Sequence, residues 1–215
     1  MFSKGESTIT FEKYCIFVKN AAMITDIHSL DPNGTYTYAD YLKWRFDEQV
    51  ELIKGKIYRM SPAPKMAHQW VSGQLSYLLR RHFEEKPCTI FEAPFDVRLP
   101  IGNDRFPEKI YTVVQPDICV ICDDSKLDED GCLGAPDLIV EITSTSTYKK
   151  DFNEKFNWYE KAGVREYWIA IPSEKAIQVY FLENGQYQLG GIYDKSPAQS
   201  VIFEGFEAVL EKVFR

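Results

Sequence analysis

The 215-residue sequence predicts an α/β domain with a mixed β-sheet flanked by helices and a C-terminal β-meander. Three observations predict it. Residues 111–122 and 138–143 are nearly continuous in apolar and β-branched side chains, the pattern of strands covered on both faces. Residues 64–83 and 148–162 place apolar side chains at helical spacing. Residues 166–193 form three strand-like runs separated by turn dipeptides.

The elements follow in order. Residues 1–30 are the least legible, with Phe11 to Val18 open to a short strand or helix, and are set apart as an N-terminal extension; a single domain is assigned to 31–215. Asp31-Pro32-Asn33-Gly34 is a turn, after which Thr37 suits the N-cap of a helix over 38–46. Two β-type runs flank Lys54-Gly55, so residues 50–60 read as a hairpin. Pro64 opens a helix that runs to Phe83, with Val71, Leu75, Leu78, Leu79 and Phe83 as its apolar stripe and Pro87 as its stop. Strands are expected at 88–92 and 95–99, then one long strand over 111–122 and another over 138–143, joined by a solvated acidic loop at 123–130. The helix over 148–162 buries Phe152, Phe156 and Tyr159 and ends at Gly163. The meander occupies 166–171, 176–182 and 186–193, and a short helix is expected within 206–214.

Composition narrows the functions. With 45% hydrophobic and 14% aromatic residues, the chain can bury a real core, which excludes whole-chain disorder. No apolar run approaches the ~20 residues of a membrane-spanning helix. The N-terminus lacks the pattern of a secretory signal, so a cytoplasmic protein is expected. A net charge of -7 argues against coating nucleic acid by bulk charge, and suits a site that gathers carboxylates around a metal ion. Five cysteines, an odd number, fit reduced thiols. Cys119 and Cys122 have zinc-knuckle spacing, but residues three apart on a strand face opposite ways.

The chemistry concentrates on two acids inside apolar strands, Asp117 and Glu141. An acid so placed is costly unless neutralised. Taken alone, Asp117 suits a strand-end acid bonded to backbone amides and Glu141 suits a partner for an arginine. Taken together, if their strands pair, both converge on one end of the sheet where a divalent cation fits. Asp151, Lys155 and Tyr159 lie four apart on the following helix, so Lys155 is either half of a surface pair with Asp151 or an amine leaning over the sheet end. Glu51 reads as a surface strand residue, and His68 lies off the clearest stripe of its helix. The sequence holds no P-loop, no Gly-rich dinucleotide fingerprint and no nucleophile elbow, and Ser144 to Thr147 reads as capping chemistry.

Val50-Glu51-Leu52-Ile53 with Gly55, His68, Gln115-Pro116-Asp117, residues 134–142, Asp151, Lys155, Tyr159 and residues 163–168 occur in an order that resembles the bacterial family described as putative restriction endonucleases, within the PD-(D/E)XK nuclease superfamily. The resemblance is close over residues 35–182. It implies a restriction-endonuclease-like core and Mg²⁺- or Mn²⁺-dependent hydrolysis of DNA phosphodiesters, with Asp117 and Glu141 as metal ligands and Glu51 as a further acid. The superfamily pattern expects lysine two residues after the second acid, where this chain has Thr143; the resemblance assigns the lysine role to Lys155. Gln115, placed on the strand and face of Asp117, together with Thr143, His68, Lys149 and Lys150, is expected to contact substrate. A homodimer would suit double-strand cleavage. A module that keeps the fold without catalysis, or a hydrolase of another substrate, are the alternatives.

Overall fold

A computed structural model describes residues 22–60, 65–102, 104–143 and 148–215, with side chains from 154 onward in the last segment. The expected element at Phe11 to Val18, the opening residue Pro64, the capping run Ser144 to Thr147 and the buried position of Phe152 lie outside the described residues.

The chain enters through residues 22–30, where Ile27 is buried and Ile24 bridges Trp44. Helix α1 (Tyr38–Tyr41) is a single turn, shorter than the helix expected to reach Phe46. Its start is fixed by the Asp40 carboxylate, which accepts from the Thr37 backbone and hydroxyl at 3.0 and 2.9 Å. It stops because Lys43 and Arg45 turn their backbones to Ile24, accepting and donating at 2.9 and 2.7 Å. The hairpin is as expected: β1 (Val50–Ile53) pairs antiparallel with β2 (Lys56–Arg59) across Lys54-Gly55. Both turn residues have positive φ, 53° and 77°, and a Cβ on Gly55 would sit 2.6 Å from Thr35.

Helix α2 (Met66–His82) follows, then β3 (Thr89–Glu92) and β4 (Val97–Arg98). The single strand expected over 111–122 is two strands, β5 (Val113–Val114) and β6 (Ile118–Ile121). They belong to different sheets. Pro116 has no N–H to give a ladder, so the chain changes sheets at Gln115-Pro116-Asp117. The acidic loop is also corrected: it contains β7 (Leu127–Asp128), which pairs with β8 (Gly131–Leu133) just beyond it as an edge hairpin, and Asp128 pairs with buried Arg98. A Cβ on Gly131 would lie 2.2 Å from the Asp96 carbonyl, so this close approach requires glycine.

The remaining elements are β9 (Leu138–Ile142), α3 (Tyr148–Ala162), β10 (Glu166–Ile171), β11 (Ala176–Glu183), β12 (Gln186–Tyr193), β13 (Ala198–Gln199), β14 (Glu207–Ala208) and α4 (Leu210–Val213). Two six-stranded sheets result, β2-β1-β5-β4-β8-β7 and β12-β11-β10-β9-β6-β3, each mixed, with β13 and β14 as a separate pair.

Alternation along β9 sorts the core. Leu138, Val140 and Ile142 pack with Val71, Leu75 and Leu79 of α2 and with Leu210 and Val213 of α4. Ile139 faces the other way, towards Trp158 and Tyr159 of α3 and Ile53, Val97 and Val114 of the first sheet. Glu141 shares the face of Ile139 and so points into the junction between the sheets.

The thiol expectation is overturned at one pair. Cys88 and Cys122 form a disulfide, while Cys119 and Cys132 are buried free thiols. The antiparallel register Thr89↔Ile121 brings Cys88 opposite Cys122, a neighbour across strands that spacing along one strand does not reveal. Among the described residues no helix is long and apolar enough to cross a membrane.

Candidate active site

The strand break at Pro116 builds the site. Strands β6 and β9 are antiparallel with Ile118 opposite Val140. Continuing that register by one pair puts Asp117 opposite Glu141, on one face and at one end of the sheet. Directly opposed like charges repel across a strand pair, so this placement calls for a cation. Asp117 Oδ2 accepts from the Ile142 backbone N–H at 2.7 Å, which pins that carboxylate to the neighbouring strand. Both readings of Asp117, acid bonded to backbone and acid facing acid, therefore hold together.

Lys155 supplies one positive charge. From α3 its Nζ donates to Glu141 Oε1 at 2.9 Å and to Glu51 Oε1 at 2.8 Å. Its side chain is 14% exposed, against 13% for Glu141 and 7% for Glu51. The solvated Asp151–Lys155 pair is thereby superseded as an account of Lys155. Glu51 is no surface residue; it is 6% exposed and comes from the other sheet to complete the bridge. The backbone N–H of Gln115 holds its Oε1 at 2.9 Å. Burial works against the Lys155 ammonium, but the Glu141 and Glu51 carboxylates outweigh it and keep the amine protonated beyond the ordinary lysine range.

Glu141 experiences the opposite balance. Burial, with Asp117 and Glu51 adding to it, pushes its carboxyl up to about 7 despite the Lys155 ammonium. Tyr159 also donates to Glu141 Oε1, at 2.8 Å. Three carboxyl groups, those of Asp117, Glu141 and Glu51, thus meet at this junction with one lysine. Among the described residues no group of three His, Cys, Asp or Glu side chains converges as a ready-made metal cage.

His68, from the first turn of α2, places Nε2 at 3.0 Å from Asp117 Oδ1. The hydrogen bond His68 donates to Asp117 raises its pKa above the usual histidine value, against the effect of burial. Its Nδ1 is buried without a partner. Thr143 continues the β9–β10 ladder, donating its N–H to the Ala170 carbonyl at 2.9 Å. Two residues from Glu141 it shares that face, and its hydroxyl is buried and unpartnered.

Gln115 departs from expectation. It lies in the break rather than on the strand and face of Asp117, and its side chain turns to Asp96, donating at 2.8 Å. Lys149 and Lys150 belong to the first turn of α3, with their side chains outside the description. The set of site residues expected from the sequence omits Tyr159, which touches Glu141, and Asp96, which lies outside this site and holds the Gln115 side chain. Tyr159 was legible as the residue four after Lys155 on one helical face. Asp96, half-buried, is signalled only by an acid between Phe95 and Val97.

Facing acids at one end of two adjacent strands in a mixed sheet are thus met by a lysine from the following helix. Residues 38–211 match the Uma2 family, described as "Putative restriction endonuclease", and the chain belongs to that family. A relative, the "Uncharacterized protein sll1609" of Synechocystis sp., is 30% identical over 127 residues, covering 57% of this chain and 67% of that protein. The fold is shared with the crystal structure of "a putative nuclease belonging to DUF820" from Anabaena variabilis ATCC 29413. That match has a TM-score of 0.63 at 19% identity, over 83% of this chain and 97% of the other.

Proposed function

We propose that the chain is a divalent-metal-dependent DNA endonuclease that hydrolyses phosphodiester bonds at the Asp117–Glu141 end of the second sheet. The observation that carries this reading is the pair of opposed acids with a lysine fixed on one of them. The donor set fits Mg²⁺ or Mn²⁺: Asp117 and Glu141 offer hard carboxylate oxygens, and water and phosphate oxygens would complete the shell. When bound, the ion supplies polarisation of the phosphate and a water of lowered pKa.

The chain's own residues do the rest. Lys155, held protonated by two carboxylates, cannot act as a base; it sets a positive charge beside the phosphate oxygens where negative charge grows. Glu51 and the Gln115 backbone position that ammonium from the first sheet. His68 orients Asp117, and Tyr159 orients Glu141. Thr143, Lys149 and Lys150 are assigned to the nucleic-acid backbone. Two copies would place two such sites on a duplex.

The test is incubation of supercoiled plasmid and of single-stranded DNA with Mn²⁺. The wild type should cleave, Asp117→Ala and Glu141→Ala should not, and Lys155→Ala should lose cleavage that Lys161→Ala keeps. Linear product from the first plasmid turnover would support paired sites. Mn²⁺ binding without cleavage of either DNA would move the chain to a hydrolase of another substrate. Absence of both would leave a non-catalytic module.

A further inference from the structure

A second concavity, of about 370 Å³, opens on the first-sheet side of Gln115. We infer that it is a receptor site for an organic cation of the guanidinium or alkylammonium type.

Its walls are aromatic. Tyr41 stacks on Tyr38 with ring centroids 6.0 Å apart, and Trp44 stacks on Phe46 at 5.7 Å. Its charge is negative. Asp47, Glu48, Asp96 and Asp130 line it against one cation, Arg45. That guanidinium is already engaged, donating to the Leu42 and Trp44 carbonyls at 3.1 and 2.6 Å. Asp96 is the one of these four acids that is not exposed, and burial raises its carboxyl pKa in spite of hydrogen bonds from Gln115 and Tyr41. Its Oδ1 receives both of those donors, at 2.8 and 3.2 Å.

The acceptors here outnumber the donors. Gln115 Oε1 is buried and bonded to nothing. The indole N–H of Trp44, a residue 7% exposed, also has no partner. Aromatic side chains beside a partly desolvated carboxylate suit a flat, multiply donating cation. A guanidinium with its alkyl stem fits the volume. The same neighbourhood already holds one such group: the Arg98 guanidinium lies 5.3 Å over the Tyr38 ring and pairs with Asp128. A nucleotide is disfavoured, because the rim carboxylates Asp47, Glu48 and Asp130 repel phosphate.

Occupancy bears on the neighbouring carboxylates through one residue. Gln115 offers its side chain to this concavity and its backbone N–H to Glu51. The inference nevertheless rests on the concavity alone and stands whether or not the chain cleaves DNA.

The experiment is an NMR titration of the full chain, following the Trp44 indole N–H. The ligands are agmatine and a short peptide with one central arginine. The uncharged controls are N-butylurea and the same peptide with citrulline, and adenosine monophosphate is the anionic control. The expected result is saturable movement of the Trp44 signal, with each guanidinium ligand bound at least ~10-fold tighter than its urea counterpart. Asp96→Asn should weaken binding ~10-fold, and the exposed rim variant Asp130→Asn by a smaller factor with the fold intact. Tighter binding of agmatine would mean a free small cation; tighter binding of the peptide would mean an arginine offered by a protein partner. Equal response to the urea analogues, preference for the nucleotide, no saturable shift, or unchanged affinity in both variants would overturn the inference.

Discussion

Metal affinity should depend steeply on pH, and the reason lies in Glu141. Its carboxyl is pushed up to about 7 by burial, Asp117 and Glu51, so a metal ion must displace a proton to use it. With a pKa near 7, roughly one molecule in eleven is ready at pH 6 and about ten in eleven at pH 8, so apparent Mn²⁺ affinity should rise about tenfold between them. The sign for stability is the reverse. An acid with a raised folded-state pKa holds fewer protons when unfolded, so metal-free protein should lose stability as pH climbs from the ordinary Glu range through about 7, and Mn²⁺ should restore it. Calorimetry at both pH values, in buffers of different ionisation enthalpy, reads affinity and proton release together. Release should approach one proton per ion at pH 6 and fall towards none at pH 8. Glu141→Gln should bind more weakly and release no proton from this group. Affinity that does not change with pH, with no proton release in the wild type, would refute the assignment of Glu141 as a buried ligand.

Three further outcomes follow from the same geometry. Lys155→Ala leaves Glu51 and Glu141 buried without their counter-ion and should cost about 3 kcal/mol by denaturant unfolding, whereas Lys161→Ala should stay within about 0.5 kcal/mol. Cys88→Ser opens a loop of 34 residues' separation and should lower stability by up to about 4 kcal/mol, a loss that dithiothreitol should reproduce in the wild type and not in the variant. His68→Ala removes the partner that orients Asp117 and should weaken Mn²⁺ about tenfold at pH 8 with little change in melting temperature of the metal-free protein.

Part of the site was legible because buried charge is expensive. Asp117 and Glu141 each interrupt an apolar strand, and that alone marked them before any pairing was known. Lys155 was legible only as a possibility of helix phase. What sequence could not convey was contact between distant segments. Glu51 looked like a surface residue because its partner Lys155 lies 104 positions away, in an element that packs from the other sheet. His68 looked idle because its helix stripe describes what α2 buries, whereas its ring reaches past the stripe to the end of β6.

The fold shows the same division. The hairpin, the helix over 148–162 and the meander depend on local periodicity and turn residues, and these elements stand where expected. The run over 111–122 looks like one strand because Val113, Val114 and residues 118–121 all favour strand, whereas Pro116 marks the change of sheet. The charge of the acidic loop masks the Leu127–Cys132 pairing and the Arg98 that holds Asp128. The disulfide depends on strand register, which no spacing along one strand contains.

The central claim is that Asp117 and Glu141 hold one divalent ion between neighbouring strands. Anomalous diffraction from a crystal soaked in Mn²⁺ at pH 8 tests it most directly. The account predicts a single manganese peak within bonding distance, about 2.0 to 2.3 Å, of an oxygen from each acid, with Lys155 beside it and unbound. Manganese absent from that end of the sheet, or bound to one acid alone while the other keeps only its protein partners, would contradict it.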